Sequence, residues 1–214
     1  MTRAECPVCR SVRVEPFVSV AGLEYRRCPD CHAIGLGPEH YPDPEQEAAH
    51  YRLHQNRIDD AGYRRFLSTL ATPLLQRLPP ARSGLDFGCG PGPALACMLR
   101  DAGHSMAVYD PMFFPDDTAL ASRYDFVTCS EVSEHFHAPA TSFARLFELL
   151  RPRGSLAVMT GFPPQAAALA GWHYRRDPTH VVFYAPETFH WLARQHGAQC
   201  EIPCRNVALL RLNR

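Results

Sequence analysis

The chain contains no lysine: all 22 of its basic residues are arginine. That excludes Schiff-base and lysine-base chemistry, and with it the phosphate-binding lysine of a P-loop. Net charge is also lacking, with 22 acids against 22 bases, so no global field draws nucleic acid or an anionic membrane. No apolar run approaches the ~20 residues a membrane span needs, and Met1 to Cys6 contain no apolar segment of the secretory type. Long low-complexity tracts are missing as well, and with 46% apolar residues the composition predicts a packed core. The length of 214 residues suits one α/β domain plus a small appendage. A cytoplasmic location with no membrane partner is expected, and there the nine cysteines point to metal binding rather than disulfides.

Four of those cysteines form two knuckles, Cys6-Pro7-Val8-Cys9 and Cys28-Pro29-Asp30-Cys31, separated by 18 residues. Between them Val12-Arg13-Val14 and Phe17-Val18-Ser19-Val20 alternate, Ala21-Gly22 turns, and 23–27 returns, which predicts a β-hairpin. Paired knuckles around a hairpin gather Cys6, Cys9, Cys28 and Cys31 tetrahedrally for Zn²⁺. Such a site has no open coordination position and so a structural role. Residues 1–36 are too few to hold a core alone, so the metal would supply their folding energy. A redox pair, fortuitous cysteines, or His32 replacing one cysteine are the other readings.

Residues 38–47, with Pro42 and Pro44, read as a linker. The polar stretch that follows, with Tyr51, His54 and Asn56, is either a lid or a solvated helix end. Next, Phe66, Leu67, Leu70, Leu74, Leu75 and Leu78 recur at helical spacing, and Pro73 predicts a kink or two shorter helices. Residues 37–82 are thus expected to form a linker and helical lid. From 83 onward strands (84–87, 105–110, 125–130, 155–160) alternate with helices (93–102, 139–150, 186–197). An antiparallel hairpin of 199–202 and 208–213 closes the chain. This predicts an α/β, Rossmann-like, mostly parallel sheet over 83–214, with ligands beyond the strands' C-terminal ends.

The first of these strands ends at Asp86 and enters Phe87-Gly88-Cys89-Gly90-Pro91-Gly92, then an apolar-periodic run from Ala94. Strand, glycine turn and helix bring backbone close to a ligand and aim helix N–H groups at it. Val108-Tyr109-Asp110 closes the next strand, 18 residues after Gly92. Tyr124 to Ser130, Glu131-Val132-Ser133-Glu134-His135 and Arg151-Pro152-Arg153-Gly154 follow in order. Together these motifs resemble the class I S-adenosylmethionine (SAM)-dependent methyltransferases over about residues 83–214. The resemblance implies SAM as cofactor. Asp86 would lie at its methionine amino end, with Phe87, Gly88, Gly90 and Gly92 beneath it and Asp110 on the ribose hydroxyls. Glu131, Tyr51 and Asn56 would be further cofactor contacts. The family usually fits a third strand between two helices after that acid. Here only 111–124 separate Asp110 from Asp125, so the third strand is expected to be short or missing. Met112, Phe113 and Phe114 then pack either on the adenine or in the core.

On the acceptor side, Ser130-Glu131-Val132-Ser133 stands where base amino-methylases carry an Asn/Asp-Pro-Pro-aromatic turn. Cys129 falls inside a strand rather than where a pyrimidine-C5 nucleophile is needed. His135 is a candidate general base or acceptor-orienting group. The dense loop Trp172 to His180, leading to Tyr184, is expected to build the acceptor pocket from Trp172, Tyr174, Arg176 and Tyr184. His180 is the second base candidate, Asp177 its orienter, and Arg176 an anchor for a carboxylate or phosphate. A self-satisfied loop plug is the alternative. The resemblance thus implies a methyltransferase acting on a small molecule at oxygen or carbon, by direct in-line transfer with a histidine base, the zinc ribbon shaping the acceptor site. A second reading is an rRNA or tRNA methylase using the ribbon for RNA contact, although residues 3–31 hold five arginines against four acids. A non-catalytic donor-binding or zinc-scaffold protein is the third.

Overall fold

Ala21 and Gly22, both at positive φ (53° and 82°), close the tight turn between β1 (Glu15–Val20) and β2 (Leu23–Arg27). A two-residue loop of this hand matches the twist of the strands it joins. The computed structural model describes residues 5–53 and 56–214; of the lid candidates, His54 lies outside them. β3 (Ile34–Leu36) pairs antiparallel with β2. The proline-rich stretch read as a linker is shorter than expected. A 3₁₀ turn occupies Pro38–His40, and Asp43 then caps α1 (Pro44–Tyr51), accepting from the N–H groups of Glu45 and Gln46 at 3.0 and 2.9 Å. Pro44 suits the first helical position, where its missing N–H leaves no bond unmade.

α2 (Ala61–Leu75) starts at the Asp60 cap and is a single helix rather than two. Pro73 falls in its last turn, where it forgoes one hydrogen bond without breaking the rest. Its buried face of Leu67, Leu70, Ala71 and Leu74 packs with Leu95 and Leu99 of α3 (Ala94–Asp101). α3 follows β4 (Ser83–Phe87) and leads to β5 (Ser105–Tyr109) and β6 (Tyr124–Ser130). Then come α4 (Pro139–Glu148), β7 (Leu150–Met159), the short α5 (Ala166–Leu169) and β8 (Val182–Phe183). α6 (Pro186–Gln195) and the hairpin of β9 (Ala198–Cys204) and β10 (Val207–Leu212) complete the chain.

The larger sheet has the order β5-β4-β6-β7-β10-β9, with β4 to β7 parallel and the terminal hairpin antiparallel. Between β5 and β6 the chain makes only a 3₁₀ turn, Asp117–Ala121, and an isolated bridge from Asp110 to Phe114. The short connection therefore leaves β5 as the sheet edge.

The smaller sheet has the order β1-β2-β3-β8. Ile34 pairs with Phe183 and Gly35 with Val182, and Leu36 N–H donates to the Val181 carbonyl at 3.0 Å. Cys6, Val8, Cys28 and Cys31 share one buried cluster with Val181, Val182 and Tyr184. Among the described residues no helix is long and apolar enough to cross a membrane.

Candidate active site

A cavity of about 740 Å³ opens at the C-terminal ends of β4, β5 and β6, within the range of small-molecule sites. Its floor is the glycine turn. Gly88 and Gly90 have φ of +73° and +64°, a region side chains disfavour. A Cβ on Gly88 would meet Val132 Cγ2 at 2.4 Å, and one on Gly92 would meet the Asn56 carbonyl oxygen at 1.7 Å. Val132 and Asn56 thus close on Gly88 and Gly92 too tightly for any side chain, while Gly90, whose Cβ position meets nothing nearer than Asn56 Nδ2 at 3.5 Å, presents open backbone to the cavity, as a nucleoside donor such as SAM requires.

Asp110 holds this turn in place. Its Oδ2 accepts from Gly90 N–H at 3.0 Å, and its Oδ1 from Met112 and Phe113 N–H at 2.9 and 3.0 Å. Oδ1 has thereby used both of its lone pairs, and Oδ2 keeps one for a hydroxyl. Phe87, Gly88, Gly90, Tyr51 and Asn56 line the cavity, as do Met112 and Phe113; Phe114 instead bridges to Asp110. Asp86 does not reach the wall. It is buried beneath the turn, accepts from Thr128 Oγ1 at 2.7 Å, and burial pushes its carboxyl up to about 6. Gly92 also lies outside the lining, under Asn56.

Opposite the turn, β6 ends in Glu131, a non-glycine residue at φ +55°. Glu131 lines the cavity, and burial followed by the charge of Glu134 pushes its carboxyl up to about 8. Glu134 is fully buried; the Tyr174 hydroxyl donates to its Oε1 and Ser133 Oγ to its Oε2. His135 and His180 pack edge to face, with centroids 4.6 Å apart. Nδ1 of His180 is 2.7 Å from the Tyr174 carbonyl, and Nδ1 of His135 is 3.1 Å from that of Thr179. A carbonyl only accepts, so both rings carry a proton on Nδ1 and turn Nε2 away from the main chain. Burial draws His180 below the ordinary imidazole value. Asp177 accepts from Thr179 N–H at 2.9 Å, lies 3.0 Å from His50 Nε2 and 3.8 Å from His180 Nε2. Burial alone would raise its carboxyl, but the Thr179 bonds and the histidines hold it at about 2.

Of the residues expected to build the acceptor pocket, only Tyr174 lines the cavity. Arg176 is exposed outside it. Trp172 turns its ring onto Phe183, centroids 5.0 Å apart, and Tyr184 is buried with its hydroxyl donating to the Ser133 carbonyl at 2.7 Å. The loop's aromatics are there because β8 needs a packed face. Sequence reasoning missed Glu47, Tyr63, Phe66, Tyr109 and His137, all in the lining. For Tyr63 and Phe66 a signal existed: the pair sits three apart in the first turns after the Asp60 cap.

The four knuckle cysteines converge. Cys6 and Cys31 Sγ are 3.5 Å apart, Cys9 and Cys28 Sγ 3.4 Å, and all four sulfurs lie within 4.8 Å of one another. Four thiolates at about 2.3 Å from one Zn²⁺ would be spaced at about 3.8 Å, so the donor set fits. Burial and the neighbouring Cys28 thiol push Cys9 up to about 12, a penalty a dication reverses.

A family profile for a methyltransferase domain matches residues 54–201. A comparison with curated proteins finds no match. Among solved structures, the chain is similar to the 1,6-didemethyltoxoflavin-N1-methyltransferase of Burkholderia thailandensis, bound to 1,6-didemethyltoxoflavin and S-adenosylhomocysteine. Identity is 18%, the TM-score 0.52, and the match covers 94% of this chain and all (100%) of that one. It is similar to magnesium protoporphyrin IX methyltransferase from Synechocystis PCC 6803 with bound SAM, at 14% identity and TM-score 0.50, covering 82% and 94%. A SAM-dependent methyltransferase from Archaeoglobus fulgidus matches at 16% identity and TM-score 0.53, covering 69% and 94%. These likenesses agree with the α/β fold and its mostly parallel sheet. With the profile spanning well over half of its length, the chain belongs to the methyltransferase-domain family, as a class I SAM-dependent methyltransferase.

Proposed function

We propose that the chain methylates a small-molecule acceptor, at oxygen or carbon, held where His135, His180 and Asp177 face the glycine turn across the cavity. The observation that carries this reading is the pair of imidazoles. Both donate from Nδ1 to main-chain carbonyls, which turns Nε2 away from those carbonyls, and both line the cavity. When bound, SAM supplies a methyl group already activated by its sulfonium. The chain's task is then to hold the acceptor atom in line and to accept its proton. Asp110 and the backbone of Phe87 to Gly92 cradle the donor, Asp86 stiffens the turn from below, and Tyr51 and Asn56 close over it.

A polyanionic acceptor fits less well, because no arginine is among the described lining residues. The tetrathiolate cluster is proposed to hold a structural Zn²⁺, in keeping with a reducing, cytoplasmic setting. Through the pairing of β3 with β8 it would stiffen the acceptor wall. The test is to incubate the protein with labelled methyl donor and fractionated lysate of its source. Label in small molecules supports the reading; label in RNA alone overturns it.

A further inference from the structure

Glu131, Glu134, His135 and His180 come together from two segments of the chain at the end of β6 and just before β8. One ligand atom from each of Glu134, His135 and His180 lies within 4.8 Å of the other two. Glu131 stands on the same wall, within reach of the charge of Glu134. No arginine among the described lining residues meets either carboxylate.

The bonds behind Glu134, His135 and His180 are those that orient metal ligands. Carbonyl oxygens of Tyr174 and Thr179 hold Nδ1–H of His180 and His135 at 2.7 and 3.1 Å, which turns Nε2 of each ring away from the backbone. The carboxylate of Glu134 is fixed by the Tyr174 hydroxyl and by Ser133 Oγ at 3.3 Å, and Thr160 Oγ1 in turn lies 3.2 Å from that hydroxyl. The cluster contains no thiolate, which sets it apart from the cysteine site.

We infer that Glu134, His135 and His180 bind a divalent first-row cation of the Mn²⁺ or Fe²⁺ kind where acceptor and donor meet. One carboxylate with two imidazoles suits such a cation better than Mg²⁺, which prefers oxygen alone. Its remaining positions would take an acceptor oxygen and make that hydroxyl more acidic, so that its proton can pass to water while the oxygen takes the methyl group, without an imidazole base. The inference rests on the reading that the acceptor binds at this end of the cavity, and it replaces the direct histidine base within that reading.

The test is a titration of Mn²⁺ into the full-length protein, after dialysis against EDTA and a check of zinc content, with free Mn²⁺ read by electron paramagnetic resonance. One equivalent per chain is expected to bind. His180→Ala and Glu134→Gln should each weaken it at least about tenfold, while S-adenosylhomocysteine affinity, the check on folding, stays within about twofold. Tyr174→Phe, which removes the hydroxyl that holds Glu134 and touches Thr160, should weaken Mn²⁺ by about tenfold. Absence of Mn²⁺ binding, or equal binding by all three variants, overturns the site. Methyl transfer measured on the same samples separates the two ideas. Transfer to small molecules without Mn²⁺ binding overturns the cation and leaves the small-molecule reading intact. Stoichiometric Mn²⁺ with label in RNA alone supports the site and overturns that reading.

Discussion

Asp110 is the residue on which the shape of the donor site most depends. It takes three backbone N–H bonds, from Gly90, Met112 and Phe113, at 8% exposure. Hydrogen bonds to a charged acceptor contribute about 1.5–3 kcal/mol each, and three sharing one carboxylate do not add in full. Asp110→Ala should therefore cost about 3 kcal/mol of stability. In a chain of this size that is roughly 6–12 °C in Tm. Asp110→Asn separates geometry from charge. Its amide oxygen can serve Met112 and Phe113, but its NH₂ then faces the Gly90 N–H, donor against donor, at a cost of about 1–3 kcal/mol. Either change loosens Gly90 at φ +64°, so S-adenosylhomocysteine affinity by isothermal titration should fall at least about tenfold, corresponding to about 1.4 kcal/mol. A role confined to the ribose would lower affinity at unchanged Tm, whereas a clamp lowers both. An Asp110→Asn protein melting at the wild-type temperature would refute the clamp, and wild-type affinity besides would remove the donor from this turn.

Gly92→Ala places a methyl 1.7 Å from the Asn56 carbonyl oxygen. Displacing that segment should cost about 1–3 kcal/mol and weaken S-adenosylhomocysteine binding accordingly, with circular dichroism unchanged; full affinity would take Asn56 out of the donor wall. Cys6→Ser should lose the zinc equivalent on metal analysis and speed amide exchange at 181–184, while exchange in α3 stays as it was. A variant that still binds one zinc per chain would rule out the four-thiolate site. His196 stacks on Phe147 at 4.2 Å, and burial draws its imidazole below the ordinary value. The folded protein thus binds fewer protons there than the unfolded chain. Its contribution is full above about pH 6.5 and is lost as pH falls through that value toward the lower folded one. His196→Phe should flatten this part of the Tm profile; an undiminished slope would mean other groups produce it.

Features that depend on a few neighbouring residues are readable from the amino acids alone. The Ala21-Gly22 hairpin, the glycine turn and the paired knuckles each rest on chemistry within a handful of positions. The missing third strand was legible as well, because the 14 residues of 111–124 cannot hold two helices and a strand. Pro44 shows the limit of this kind of reading. Prolines mark a linker or a helix's first turn equally well, and only the capping pair of Asp43 and Gln46 decides between them. The acceptor loop was misread for a different reason. Trp172, Arg176 and Tyr184 look like pocket residues because aromatic and charged groups crowd a loop, but Trp172 packs on Phe183 of β8, Tyr184 packs on Phe143 and Phe189, and Arg176 is exposed. That strand has two residues and β3 has three, too few for any periodic signal, and they pair across nearly the whole chain.

That pairing accounts for how the acceptor end keeps its geometry. A two-residue strand has little stability of its own, and β8 is held from both sides. Toward the sheet, Val181 N–H donates to the Glu134 carbonyl at 2.9 Å and the Tyr184 hydroxyl to that of Ser133 at 2.7 Å. Toward the N-terminal module, β3 supplies the ladder and the knuckle residues supply the packing. Ala140 N–H, at the start of α4, donates to the carbonyl of Pro7 between the first two cysteines at 3.0 Å. His180 precedes one of these anchored segments and His135 the other, so the cysteine cluster steadies both imidazoles without touching either. The glycine turn meets this end only where Val132 packs on Gly88, and it is held chiefly by the β4–β5 ladder and Asp110. Loss of the thiolate site should therefore reach the acceptor end first and the donor end last, which is the order expected if the module evolved as a wall of the site rather than as an independent attachment.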